Sequence, residues 1–146
     1  MRLPAVLIAA ATFAWTACSA VDTAKPLDIT PGKPFTLQVG GAARLASESL
    51  QLGFDGVAAD SRCPKGAQCV WAGEVVARVW WQRGSAARQS GELHLSAGMA
   101  RPVRIGDFEL RLTEMAPEAI TGKPIDKSAY LATLLLSRGS SSEAER

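Results

Sequence analysis

The chain has 146 residues, with 16 Lys and Arg side chains against 14 Asp and Glu side chains and a formal net charge of +2 at pH 7. This length is sufficient for one domain with a single hydrophobic core. The charge is close to balanced and lacks the excess of basic residues that binding to nucleic acid requires. A nucleic-acid partner is therefore not expected.

The first residues resemble a bacterial export signal. Arg2 provides a positive start, and residues 3–15 are an uncharged apolar run that is shorter than the roughly 20 residues needed to span a bilayer. The small residues that follow lead to Cys18 and resemble a lipobox, in which this cysteine is diacylated. This predicts a lipoprotein signal peptide over residues 1–17. Because Ser19 is not an inner-membrane retention signal, we expect an outer-membrane lipoprotein facing the periplasm.

A second processing route is open, because Trp15 stands where a lipobox usually has an aliphatic residue. An ordinary signal peptidase could cut after Ala20, which would remove Cys18 and leave a secreted or periplasmic protein. Either route leaves Cys63 and Cys69 as an even pair of cysteines. In an oxidising envelope compartment such a pair is expected to form a disulfide.

The remaining chain alternates apolar and polar residues in the way that is typical of β-strands. Composition predicts a tether over residues 18–34, a β domain over residues 35–137 and a disordered tail over residues 138–146. Strands are predicted, in chain order, over residues 35–39, 50–54, 75–81, 93–95, 103–105, 108–113 and 130–136. We therefore expect an all-β fold, either a single antiparallel β-sandwich (immunoglobulin-like) or a small barrel of seven or eight strands.

Residues 60–74 are the richest part of the sequence in chemically distinctive side chains. The pair Cys63 and Cys69 encloses five residues, and a disulfide between them would hold this loop in one shape. A redox or metal role for the two sulfurs is an alternative, but the spacing is longer than Cys-x-x-Cys. A metal would also need further ligands, and His94, expected to face solvent, is the only histidine. No metal ligand or cofactor is therefore predicted.

Four residues are predicted to contribute to binding: Asp60, Arg62, Trp71 and Trp80. Asp60 and Arg62 lie on one side of an extended strand, where they either fix the loop through backbone hydrogen bonds or recognise a partner. Trp71 is expected to pack over the disulfide as part of the core, with stacking on a ligand as the alternative. Trp80 must lie on the opposite strand face from the core residue Trp81, and an outward Trp is typical of an interface.

The spacing Asp-Ser-Arg-Cys-Pro, four variable residues, then Cys-x-Trp-Ala-Gly-Glu, defines a motif over residues 60–74. It is similar to a motif of small uncharacterised bacterial exported proteins and lipoproteins. The likeness extends to the Leu37 to Gly40 strand end and to the Tyr-x-Ala-x-Leu of residues 130–134, and it covers about residues 35–136. The resemblance implies export, a lipid anchor in many members and a β fold, but no activity.

We therefore expect a non-enzymatic envelope lipoprotein whose β domain presents a disulfide-closed loop to an unknown protein or envelope ligand. The lipid on Cys18 would hold it at the membrane. No sequence signature of a hydrolase or of a phosphate-binding loop is present, so catalytic residues are not predicted. Two alternatives remain open: a periplasmic metal-binding or thiol-redox protein that uses Cys63 and Cys69, and a purely structural envelope lipoprotein.

Overall fold

The structure, a computed structural model, describes residues 24–139 of the chain. The predicted signal peptide, Cys18 and residues 140–146 of the predicted tail lie outside these residues. Within the predicted tether, the described part begins at Ala24 and includes a short strand, Leu27–Asp28.

The described residues form ten β-strands, in agreement with the predicted all-β class, whereas the expected number of seven or eight strands was too low because three short strands were not predicted. One short 3-10 helix, Ala46–Glu48, joins the third strand to the fourth. The strands are β1 Leu27–Asp28, β2 Pro34–Gln38, β3 Ala42–Leu45, β4 Leu50–Asp60, β5 Val75–Arg83, β6 Gln89–Ser96, β7 Met99–Arg101, β8 Val103–Ile105, β9 Phe108–Ala116 and β10 Leu131–Arg138.

The strands make two sheets. The larger sheet has the order β1-β3-β4-β5-β6-β7, and the smaller has the order β2-β10-β9-β8. From β3 to β7 the larger sheet is an antiparallel meander, to which β1 adds in parallel beside β3. The two sheets do not close into a barrel, so the barrel alternative is wrong.

One hydrophobic core takes side chains from both sheets. Along β5, for example, Val75, Ala77 and Val79 are fully buried while Arg78 is exposed, as the alternation of side chains along a strand requires. Along β10, Leu134 belongs to the same cluster of buried residues. Complete burial of a Val or Leu side chain contributes about 1.5–3 kcal/mol, so this shared core is the main stabilising feature of the fold.

The fourth strand is much longer than the sequence predicts. Asp55-Gly56 reads as a turn, but the structure places a register shift between Phe54 and Gly56 and continues the strand to Asp60. Gly56 has a φ of +138°, which other residues rarely adopt, and such a bulge lets the strand bend and continue. The extension carries Asp60 to the very end of the larger sheet.

Candidate functional site at the disulfide loop

Residues 61–74 join β4 to β5 and are here called the disulfide loop. The pairing of Asp60 with Val75 places the loop at one end of the larger sheet. The β6–β7 hairpin turns at the same end, where Ser96 pairs with Met99. This end of the molecule, with the neighbouring segment that joins β9 to β10, is called the disulfide end.

Cys63 and Cys69 form the predicted disulfide, with their Cα atoms 5.9 Å apart. Two backbone hydrogen bonds shape the loop around it. The amide of Ala67 donates to the Pro64 carbonyl at 3.1 Å, and the amide of Cys63 donates to the Ala72 carbonyl at 3.0 Å. Closing a loop of about seven residues restricts the unfolded chain and stabilises the fold by about 2.4 kcal/mol on a chain-entropy model.

Asp60 and Arg62, which precede Cys63 in the chain, form a bidentate ion pair. Nε of Arg62 donates to Oδ1 of Asp60 at 2.8 Å, and Nη2 donates to Oδ2 at 2.6 Å. The hydroxyl of Tyr130 adds a hydrogen bond to Oδ2 at 3.0 Å. Only 20% of the Arg62 side chain and 12% of the Asp60 side chain are exposed. The pair is therefore shielded from most of the solvent.

The guanidinium of Arg62 also binds the chain that leaves β9. Its Nη1 donates to the Met115 carbonyl at 2.7 Å, and its Nη2 donates to the Pro117 carbonyl at 3.0 Å. All three of its nitrogens thus have partners inside the protein. Of the two predicted roles for Asp60 and Arg62, this arrangement fits the one in which they fix the loop.

The protonation of the cluster follows from the same contacts. Burial raises the pKa of Asp60, but the hydrogen bonds and positive charge of Arg62 and the Tyr130 hydroxyl outweigh it and leave the pKa lowered. The hydrogen bond to Asp60 is the main cause that raises the pKa of Arg62. Burial, aided by the Asp60 carboxylate, raises the pKa of Tyr130. At neutral pH the cluster is therefore an ionised Asp–Arg pair with a neutral tyrosine.

Ser61 and Gly73 bring the two ends of the disulfide loop together. The amide of Ser61 donates to the Glu74 carbonyl at 2.8 Å, and the Glu74 amide donates to Ser61 Oγ at 3.1 Å. Gly73 has a φ of +69°, and a Cβ added to it would lie 1.7 Å from the Ser61 carbonyl oxygen. Only glycine fits this close approach.

Lys65 joins the disulfide loop to the segment between β9 and β10. Its amide donates to the Ala119 carbonyl at 2.8 Å, and its carbonyl accepts from the Thr121 amide at 3.1 Å. Its ammonium group also pairs with the Glu118 carboxylate. Together with the contacts of Arg62, these bonds fix the loop against the smaller sheet.

Trp71 does not pack over the disulfide, so that prediction is wrong. Its side chain is 80% exposed, and that of the preceding Val70 is 89% exposed. The buried residues of the core at the disulfide end are Tyr130 and Met115, which are 7% and 4% exposed, and Trp71 is not among the residues packed against the core. The loop therefore lies outside the core, and the indole faces solvent.

An open cleft of about 820 Å³ separates Trp71 from the edge strand β7. Met99, which is 74% exposed, and Arg101 line its other side. Glu74 also lines the cleft, and its Oε2 lies 3.2 Å from Nδ1 of His94 and 3.8 Å from Nη2 of Arg101. The cleft thus combines two exposed apolar side chains with a small group of neighbouring charges.

Trp80 lies away from the disulfide loop and has partners of its own. It pairs with Gly53 and Ser90 within the larger sheet, and a Cβ on Gly53 would lie 2.3 Å from its Nε1. The guanidinium of Arg88 lies 3.7 Å from the centre of its ring, in a cation–π contact. As predicted, Trp80 and Trp81 occupy opposite faces, since Trp81 packs against the core.

The structure therefore brings together three of the four predicted binding residues and separates Trp80 from them. Sequence reasoning missed Tyr130 and Met99 as parts of this end. Tyr130 had a signal, because it is the first residue of a predicted strand and belongs to the shared Tyr-x-Ala-x-Leu pattern. Met99 had no such signal in the sequence, since a single methionine in a short hairpin does not indicate a cleft.

Within residues 24–139, no group of three or more His, Cys, Asp and Glu side chains could hold a metal ion. In the same part of the chain, no helix is both long and apolar enough to cross a membrane. Comparison of the chain with known protein families, with curated protein sequences and with solved structures found no match.

Proposed function

We propose that this protein is a non-enzymatic binding module of the bacterial cell envelope that contacts its partner through Trp71, Val70 and Met99 at the disulfide end. The lipid anchor proposed for Cys18 would hold it at the outer membrane, facing the periplasm. The partner would be a protein or another envelope component, and no cofactor is needed.

One observation carries this proposal. The side chain of Trp71 is 80% exposed, whereas the other fixed residues of the motif hold the loop in place through the disulfide, the Asp60–Arg62 pair and the Ser61–Gly73 contact. Covering a Trp removes roughly 150–250 Å² from water, which is worth about 4–6 kcal/mol. A rigid loop loses little conformational entropy on binding, so the cost of ordering the chain is small, and this energy has mainly to offset the translational and rotational freedom lost on association.

We further propose that the two sheets face each other as an open β-sandwich. The shared core, which includes Phe54 of the larger sheet and Phe108 of the smaller, supports this arrangement. The connectivity differs from that of an immunoglobulin domain, because β3 to β7 follow one another in a single sheet. The sandwich would serve as a rigid support for the disulfide loop.

The two alternatives predict different behaviour. A metal or thiol-redox role needs free thiolates, and both sulfurs are joined to each other in the structure. If the sulfurs had a metal or redox role, native protein from the envelope would react with a thiol reagent in the absence of reductant. We expect no such labelling. A purely structural role would leave Trp71 uncovered in the cell.

The proposal is tested by photo-crosslinking in intact cells. A photoreactive phenylalanine analogue replaces Trp71 in one variant and Ser85 in another. Ser85 is a suitable control because it is exposed in the hairpin turn between β5 and β6, at the opposite end of the sheet. The introduced side chain at position 71 should form adducts with an envelope component, and that at position 85 should form few.

Equal crosslinking at both positions, or none at either, would contradict the proposal. The mass of the adduct reports the chemical class of the partner, because a protein, a glycan and a phospholipid differ in the increment they add. Folding of both variants is checked by their far-ultraviolet circular dichroism and by the intact disulfide.

A further inference from the structure

We propose that two copies of this chain associate through the open edge of β2, with the two strands antiparallel about a two-fold axis at Thr36. The pairing would join two four-stranded sheets into one sheet of eight strands. This inference goes beyond the proposed function, because it uses none of the residues of the disulfide end.

The lengths and charges of the edge strands single out β2. In residues 24–139 the two sheets have four edge strands, which are β1, β7, β2 and β8. Strand β1 has two residues and strands β7 and β8 have three each, and they carry Asp28, Arg101 and Arg104 respectively. Short length and charge keep an edge strand from pairing with another chain. Strand β2 has five residues and no charged side chain, so its edge is the one open to pairing.

The backbone contacts of β10 show which groups of β2 face the open edge. The Leu136 carbonyl accepts from the Gly32 amide at 2.8 Å, so Leu136 directs its backbone to the side of β2. Two residues earlier, Leu134 is directed to the same side and pairs with Phe35. Backbone groups alternate in direction along a strand, so the N–H and C=O of Thr36 face away from β10.

The residues at the two ends of β2 also face the open edge, by the same alternation. Pro34 has no N–H to offer. The carbonyl of Gln38 already accepts from the Gly41 amide at 2.8 Å. The open edge therefore presents the N–H groups of Thr36 and Gln38 and the carbonyls of Pro34 and Thr36.

A second copy of the same strand, placed antiparallel, matches this set of groups. The two Thr36 residues face each other at the axis and exchange two backbone hydrogen bonds. Pro34 of each copy faces Gln38 of the other, whose N–H donates to the Pro34 carbonyl. The absent N–H of Pro34 lies opposite the Gln38 carbonyl that is already bonded. A strand of ordinary sequence would leave one N–H and one C=O unpaired at these two positions, so the second copy is the better partner.

The side chains are compatible with the same axis, as a two-fold interface requires. Phe35 would lie opposite Leu37 of the second copy, which gives an apolar pair on the core side. The two Thr36 side chains would lie opposite each other, and Thr–Thr pairs are favourable across strands. Lys33 precedes the strand, and its two copies would be about 20 Å apart, farther than the screening length of about 10 Å at 0.1 M salt.

A charge exchange at the axis tests the pairing. Thr36→Lys and Thr36→Glu each place two like charges opposite each other, and each should lower the association constant of the dimer about ten-fold. An equimolar mixture of the two variants should restore association. The matched controls are Thr113→Lys and Thr113→Glu, at an exposed threonine on the interior strand β9, and they should have no effect. Sedimentation velocity of the chain with Cys18→Ser, which removes the proposed lipid, measures association.

A crosslink in intact cells tests the register. Facing residues of a hydrogen-bonded antiparallel pair have Cα atoms about 5.5 Å apart, which a disulfide can bridge. Thr36→Cys should therefore give a dimer of the full chain joined through position 36, seen on a gel without reductant. Thr113→Cys is the control and should give none.

The inference requires both results. A monomeric wild type, or a dimer that Thr36→Lys leaves intact, would overturn it, since the β2 edge would then be unused. Equal crosslinking at positions 36 and 113, no crosslink at position 36, or a crosslink there to a different protein would also overturn it. None of these results involves the disulfide end, so this inference and the proposed function can fail separately.

Discussion

The carboxylate of Asp60 holds the guanidinium of Arg62 facing into the protein, with two hydrogen bonds of 2.8 Å and 2.6 Å. This orientation lets Arg62 reach the carbonyls of Met115 and Pro117 and tie the disulfide loop to the end of β9. The most polar part of the motif is thus used within the fold. Its large apolar residue, Trp71, is exposed, and it is the part that we propose contacts a partner.

Arg62→Ala should lower the free energy of unfolding by about 3 kcal/mol, because it leaves a shielded Asp60 carboxylate without its cation. The matched control is Arg44→Ala. Arg44 pairs with Asp28 at 2.7 Å, but the two side chains are 42% and 60% exposed, so the loss should be at most about 1 kcal/mol. Urea unfolding measures the loss of unfolding free energy in each of the two variants. Equal losses for the two variants would contradict a structural role for Arg62.

Acid should weaken the contribution of Asp60. Its pKa is lowered in the folded protein, so the stability it provides is present above its unfolded pKa and is lost as the pH falls through the folded value. Asp60→Asn should therefore be less stable than the wild type at neutral pH, by an amount that shrinks below about pH 3.8. A difference that stays constant on acidification would show that the charge of Asp60 is unimportant.

Gly73→Ala should destabilise the protein more than Gly84→Ala. Both glycines have a positive φ, +69° and +52°, so both substitutions carry a backbone cost of about 1 kcal/mol. Only at Gly73 would the new methyl group also meet the Ser61 carbonyl, at 1.7 Å, whereas nothing lies within 4 Å at Gly84. Thermal or urea unfolding of the two variants would show equal losses if the close approach at Gly73 were unimportant.

The double variant Cys63→Ser with Cys69→Ser should lose about 2.4 kcal/mol of unfolding free energy, which is the chain-entropy value for a loop of about seven residues. The core lies elsewhere, so the variant should still fold. Reduction of the wild-type protein should reproduce the same loss. A wild type that is insensitive to reductant in urea unfolding would contradict this account of the disulfide.

Trp71→Ala should change the free energy of unfolding by no more than about 0.5 kcal/mol, as is usual for an exposed side chain. The matched control is Trp81→Ala, since Trp81 packs against the core and its truncation should cost about 3 kcal/mol. The pair distinguishes an exposed indole from a packed one. A large loss for Trp71→Ala would mean that this ring supports the fold.

Local alternation was sufficient to predict most of the strands, because each buried face repeats every second residue, as along Val75, Ala77 and Val79. It failed for β1, β3 and β7, which have only two, four and three residues. Strands this short carry too few alternating residues to stand out. Their pairing is decided by neighbouring strands instead.

The candidate site was predictable in its chemistry but not in its orientation. The disulfide of Cys63 with Cys69 followed from the even pair of cysteines, and it is confirmed. Trp71 is exposed, whereas Tyr130, about 60 residues further along the chain, is buried at this end and hydrogen-bonds to Asp60 at the start of the loop. No local pattern records such a contact, so the expected packing of Trp71 over the disulfide was wrong.

The most direct test of the central claim is acrylamide quenching of Trp71, obtained as the difference between the wild type and Trp71→Phe. In the purified protein the fluorescence assigned to Trp71 should be strongly quenched by acrylamide, because the ring is 80% exposed. After addition of envelope membranes, which supply both proteins and lipids, the Trp71 signal should become protected. A signal that remains fully accessible with the membranes present would contradict a binding role for the disulfide end.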